Sequence, residues 1–437
     1  MPKSWIHLTI GYFLVTAVTG LLMRSMAYVS LPGLRYDYLL HAHSHLALLG
    51  WGYMALFLLF LAVFFNSASG RAGGVFKEKK IRVMLVITQL TLAGMFFAFC
   101  IQGYAAVSIS FSTLQILLSY WFAGWAWRRL AVIAREGAKP ERGVHSELQQ
   151  VQGTGSHPST RQPLSFLFVK GSLLCLVISS LGPWGLAMLS ANGLKGSPLY
   201  EAAIYFYLHF QYNGWFTLGL FAVLLRLMEQ RQITYSVKIV RLLFWMYALA
   251  MPPAFLLSVL WLKIGLAAQL AAALAAVIQW AAILLFCAVL LKARFALSAV
   301  FTGWAARLLV LALLLAAIKA TLELGLIVPQ LAEAIYQSRS IVIGYLHLTL
   351  LGFVSCLCLA LFLQQGWLNG RGRIAYIGYM SFIAGFMLNE LTLFLQGLFD
   401  WTGHGALVFV QEAVWAASLI MVTGIALFWG KRKAAQV

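Results

Sequence analysis

Three of the nine histidines fall within five residues, at His41, His43 and His45, and lead directly into an apolar stretch long enough to cross a bilayer. A neutral imidazole can give one ring nitrogen to a transition metal or haem iron while the other hydrogen-bonds to protein. A histidine cluster in apolar surroundings therefore points to haem or metal ligation. The second half of the stretch recurs: His45-Leu-Ala-Leu-Leu-Gly-Trp51 returns as His209-Phe-Gln-Tyr-Asn-Gly-Trp215 and as His347-Leu-Thr-Leu-Leu-Gly-Phe353. The shared pattern is H-[LF]-x-x-x-G-[WF]. Two residues before each repeated histidine stand His43, Tyr207 and Tyr345. The intervals are uneven and long, which suits a repeat unit of several membrane helices rather than a short solenoid.

The elements that must carry these residues follow from composition. With 62% hydrophobic and 10% charged residues and a mean hydropathy of +0.87, a 437-residue chain is an integral membrane protein in contact with the lipid bilayer. A spanning helix takes about 20 apolar residues. Twelve segments qualify, near 5–27, 42–65, 82–105, 109–133, 165–189, 202–228, 239–262, 265–292, 304–328, 341–364, 374–398 and 408–430. They form one transmembrane domain over 1–437. The first, with His7 and Arg24 and no small-residue cleavage site, reads as a retained helix. The net charge of +19 does not imply nucleic acid, because Lys and Arg lie between apolar segments. Arg71, Lys77, Lys79, Lys80 and Arg82 follow the second helix. Arg128, Arg129, Arg135, Lys139, Arg142 and Arg161 follow the fourth, and Arg226, Arg231, Lys238 and Arg241 the sixth. Lys292 and Arg294, Arg371 and Arg373, then Lys431, Arg432 and Lys433 complete one side, against Arg35, Lys195, Lys263 and Arg339 on the other. The positive-inside rule puts both termini in the cytoplasm, with a bacterial inner membrane as the expected location. Residues 134–164, polar and without apolar periodicity, read as a cytoplasmic loop, with His145 and His157 on its surface. The five cysteines all sit in apolar stretches, where they read as packing residues.

In this topology helices 2, 6 and 10 start on the outer side, with His45, His209 and His347 in roughly the first two turns of each. Successive repeats are four apart in helix order, so the chain reads as three pseudo-equivalent groups of four. Histidines at the outer ends of helices 2, 6 and 10 of a twelve-helix protein resemble subunit I of the haem-copper oxidase superfamily, which includes the terminal oxidases and nitric oxide reductases. The likeness in helix count spans nearly the whole chain, and the specific part is confined to the histidine motifs.

The resemblance implies a low-spin haem ligated from helix 2, by His45 or its neighbour His43, and from helix 10 by His347. It matches His209 to a copper ligand. Two departures weigh against the usual dioxygen-reducing centre: Tyr345 stands where the family's helix 10 carries its first histidine, and helix 7, around Leu243-Phe-Trp-Met-Tyr-Ala-Leu-Ala-Met-Pro-Pro253, has none. A b-type haem is expected. A second haem or a copper ion is open through His41 or His43 paired with His209, since residues two apart on a helix point to opposite sides and those four apart share a face. Arg35 and Arg339, in outer loops, are candidate partners for haem propionates. Lys319 and Glu323, four apart, can form an internal ion pair, and Glu390, next to Asn389, and Glu412 are further acidic groups on apolar helices. Two readings stand. One is a membrane haem protein of respiratory electron transfer, an oxidoreductase acting between quinol or an outer-face redox protein and nitric oxide or dioxygen. The other is a metal-binding or proton-coupled transporter on the same scaffold.

Overall fold

Within a bilayer every backbone polar group must be satisfied internally, and long apolar runs answer by forming helices. The computed structural model describes residues 3–66, 74–136 and 162–430, and every regular element among them is helical. Most of the 134–164 loop, with Lys139, Arg142, His145, His157 and Arg161, lies outside the described residues, as do Arg71, Lys431, Arg432 and Lys433.

The chain opens with α1 (Lys3–Ser25). The first motif follows in α2 (Tyr36–His45), π1 (Leu46–Tyr53), α3 (Met54–Phe60) and π2 (Leu61–Phe65), before α4 (Lys79–Gln102) and α5 (Ala106–Glu136). After the loop come α6 (Leu164–Ser179) and α7 (Leu181–Ala191), then the second motif in α8 (Pro198–His209), π3 (Phe210–Leu218) and α9 (Gly219–Gln230). Next are α10 (Val237–Ala254), a 3-10 turn (Phe255–Leu262), α11 (Leu266–Lys292), α12 (Arg294–Val300), α13 (Trp304–Gly325) and α14 (Pro329–Gln337). The third motif occupies α15 (Arg339–His347), π4 (Leu348–Val354) and α16 (Ser355–Gln364), and α17 (Arg373–Thr402) and α18 (Val410–Gly430) close the chain.

Among the described residues eleven helical stretches are long and apolar enough to span a membrane, matching eleven of the twelve expected segments. The twelfth, 202–228, is helical throughout but too polar to join them. The reason is local: His209, Gln211, Asn213 and Thr217 all lie on it, and all are buried. Protein, not lipid, surrounds this helix, so its polar side chains can be satisfied by neighbours. The second helix begins at Tyr36, earlier than expected, so His41, His43 and His45 are all helical.

The three motif helices form the centre. The apolar window of Tyr36–Phe65 is 83% buried and that of Arg339–Gln364 72%, against 33% for α1 and for α5. Outer helices turn Leu90, Leu270, Val310 and Leu391 outward, as lipid-facing surfaces do. At the centre Trp51 Nε1 donates to Ser355 Oγ at 2.7 Å, joining the first motif to the third. Trp215 of the second motif lies 5.7 Å from Tyr53 and 5.5 Å from Phe60, ring to ring.

The three repeats also break alike. Each motif histidine is the last α-helical residue, and the next residue starts a π-helix: His45 before π1, His209 before π3 and His347 before π4. The motif glycine lies inside each π segment, where a neighbour comes close. A β-carbon would stand 3.2 Å from Tyr12 Cγ at Gly50, 2.6 Å from Phe386 Cζ at Gly352, and against Cys175 at Gly214. π-segments inside α-helices tend to mark functional sites.

Candidate functional site

His43 and His45 point to opposite sides of α2, as a helix requires of residues two apart. His43 turns to α1. Its Nδ1–H donates to the Thr16 carbonyl at 2.9 Å, with Thr19 Oγ1 3.2 Å away. The ring lies against Gly20, where a β-carbon would stand 3.2 Å from His43 Cε1. With Nδ1 carrying the proton, Nε2 holds a lone pair, and no described residue hydrogen-bonds to it.

His347 closes α15. It stands within electrostatic reach of both His43 and Arg24. Its Nδ1 is 3.4 Å from Asn389 Nδ2, and its Nε2 has no hydrogen-bond partner among the described residues. Both histidines are half-buried. Of the two alternatives on the second helix, His43 is the one within electrostatic reach of His347.

His45 faces elsewhere. Its Nδ1–H donates to the His41 carbonyl at 2.9 Å, its ring lies 4.3 Å from that of Phe99, and Tyr104 O–H is 3.4 Å from its Nε2. His41 shares that face, its ring 4.4 Å from Tyr104. His209 is occupied at both nitrogens: Nε2–H donates to the Met251 carbonyl at 2.9 Å, beside Pro252 and Pro253 inside α10, and Nδ1 accepts from Asn213 Nδ2 at 3.3 Å. The structure does not gather His41, His43 and His209. Among the described residues no three His, Cys, Asp or Glu side chains form a set able to hold a metal ion. The five cysteines are free, as their apolar settings implied.

Arg35 engages Asp37 through two bonds, at 3.2 and 2.9 Å, on the exposed surface, and its guanidinium lies 4.2 Å from the centre of the Tyr38 ring. Arg339 lies 6.0 Å over the Tyr36 ring. Arg24, in the last turn of α1, is a cation within electrostatic reach of both His43 and His347. Arg24 also lines a cavity of about 220 Å³ with Ser340, Gln396, Asp400 and Gln411, between α1, α15, α17 and α18. Nothing in the spacing of Arg24 marks it, since tertiary packing alone brings α1 to the third motif.

A second polar centre joins the second and third motifs. Lys319 bonds Glu323 at 2.9 Å and donates to Asn213 Oδ1, while Tyr345 O–H donates to Glu323 Oε1 at 2.5 Å. Asn213 extends the chain to His209. The expected Lys319–Glu323 pair is therefore present, and it takes the hydroxyl of Tyr345, two residues before the third motif histidine. The chain matches no protein-family model, and no curated protein matches it.

Proposed function

We propose that this integral membrane protein carries one low-spin, b-type haem between His43 and His347 and passes electrons between quinol or an outer-face redox protein and a small acceptor such as nitric oxide. The observation that carries the reading is the pair of imidazoles on separate central helices, within electrostatic reach of one another, each with an Nε2 that no described residue uses. A low-spin haem needs two such donors from opposite faces, and when bound there it supplies a one-electron couple. The Thr16 carbonyl fixes the His43 tautomer and ring direction, the usual way a protein orients a ligating histidine. Arg24, a half-buried cation within electrostatic reach of the pair, is the partner for a propionate in preference to Arg35, whose fork Asp37 occupies.

The repeated break from α to π after each motif histidine favours three equivalent units of four helices, the arrangement of oxidase subunit I. Both termini are then cytoplasmic, in a bacterial inner membrane. A conventional dioxygen-reducing centre is not part of this reading. His209 spends both nitrogens on protein, α10 has no histidine, and the Tyr345 hydroxyl bonds Glu323. A proton-coupled transporter on the same scaffold is the second reading, favoured by the buried Lys319–Glu323–Tyr345 centre.

Absorption spectra with metal analysis of the purified protein test the proposal. Reduced-state haem bands that vanish in His43→Ala and His347→Ala but persist in His45→Ala are expected. Colourless protein that binds copper or zinc overturns the haem reading in favour of the second.

A further inference from the structure

Asn389 and Glu390 lie side by side on α17, both buried, with Glu390 only 6% exposed. Glu390 Oε1 accepts from Asn389 Nδ2 at 2.9 Å, and Oε2 has no partner among the described residues. The same Asn389 Nδ2 stands 3.4 Å from His347 Nδ1. One amide nitrogen thus faces a carboxylate and an imidazole nitrogen together.

The hydrogen-bonding inventory makes these three groups interdependent. An ionised carboxylate only accepts, so it draws the amide nitrogen toward it. That nitrogen meets His347 as a donor, so Nδ1 must offer its lone pair and the ring proton sits on Nε2. In this tautomer Nε2 cannot bind a metal. A protonated Glu390 donates instead. Asn389 then turns half a revolution about its terminal bond, and Oδ1 accepts from both the carboxyl O–H and the His347 Nδ1–H. The Nε2 lone pair is now free to ligate.

We propose that Glu390 is a proton-controlled positioning residue, which through Asn389 switches His347 between a tautomer that cannot bind haem iron and one that can. This rests on the haem reading above. The protons balance: the ring proton moves from Nε2 to Nδ1 within His347, and one proton from solvent is taken up at Glu390 as the ring ligates. Other ionisable groups on the packed elements face elsewhere or act on His347 alone. On α1, Arg24 faces His347 and His7 bonds Trp429. On α2, His43 faces His347. On α15, Tyr345 bonds Glu323 and Arg339 lies over Tyr36. On α18, Glu412 sits in the first turn, within electrostatic reach of Tyr28.

The test is haem titration into the full-length apoprotein in detergent at a series of pH values, read by the low-spin absorption and electron paramagnetic resonance signals. Because binding takes up one proton, affinity should fall about tenfold per pH unit once the carboxyl ionises. Glu390→Gln, neutral at every pH, and Asn389→Leu, which severs the link, should both flatten that dependence. Equal slopes in the unsubstituted protein and Glu390→Gln overturn the switch while leaving the bis-histidine haem intact. No low-spin haem at any pH overturns the reading beneath it. Infrared difference spectra of the unsubstituted protein with and without haem provide a measurement that needs no variant. Above the pH at which the affinity starts to fall, a protonated-carboxyl band gained on loading supports the switch, and its absence there overturns it.

Discussion

Replacing Lys319 by methionine isolates the energetics of the centre between the second and third motifs. The Lys319 side chain is 2% exposed and that of Glu323 17%, with 2.9 Å between Nζ and Oε1. Removing the ammonium leaves the Glu323 carboxylate with the Tyr345 hydroxyl as its remaining donor. Breaking a buried pair from one side costs about 3–5 kcal/mol, because the surviving charge has lost its counter-charge. Glu323→Gln strands the Lys319 ammonium in the same way and falls at the lower end of that range, about 3 kcal/mol, since the amide oxygen still accepts from Tyr345 and Lys319 keeps Asn213. The double variant, with no charge left to strand, should regain about 2–3 kcal/mol over the sum of the two single losses. Unfolding in mixed detergent micelles measures all three. Single losses that add to within about 0.5 kcal/mol refute the reasoning, because each charge would then be satisfied without the other. The double variant should also keep any haem spectrum, because Tyr345 in this arrangement is a network member and not a ligand.

Three further outcomes follow from single contacts. Gly20→Val pushes a side chain into the His43 ring, so it should erase the low-spin spectrum at a stability loss of about 1–3 kcal/mol; retention of the spectrum would remove His43 from the site. His209→Ala leaves the Asn213 amide without its imidazole acceptor and should cost about 1–3 kcal/mol in micelle unfolding, with the haem bands unmoved. Outside the spanning segments, the hydrogen bond to Glu201 pushes the Tyr336 phenol up to about 12 from its ordinary 10.0. A phenol raised in the folded state stabilises below its unfolded value and loses that contribution as pH rises through the folded one. The stability difference between the unsubstituted protein and Tyr336→Phe should therefore hold up to pH 10 and vanish by about 12; a constant difference across that window would show that the bond makes no such contribution.

Much of the fold was legible because apolar length is a local property. Eleven expected spans recur as helices within a few residues, and Pro198–Gln230 departs only because its polar face is turned inward. The repeated His-to-Gly motif was visible as a pattern, but its physical form was not. The groups that come close to the motif glycines inside the π-segments, Tyr12, Cys175 and Phe386, lie on other helices and distant parts of the chain.

The sequence by itself determined the membrane class, the three motif helices, the opposed directions of His43 and His45, and the Lys319–Glu323 pairing, since each follows from composition or helical periodicity. Only the tertiary structure decided which side of α2 meets the third motif. Packing α2 on α1 sets Thr16 and Gly20 against His43, packing α15 on α17 sets Asn389 beside His347, and Arg24 comes within electrostatic reach of both, while His45 is left to Phe99 and Tyr104. Periodicity fixes where side chains point relative to one another on a helix, and the direction of the whole helix is set by the neighbours it packs against.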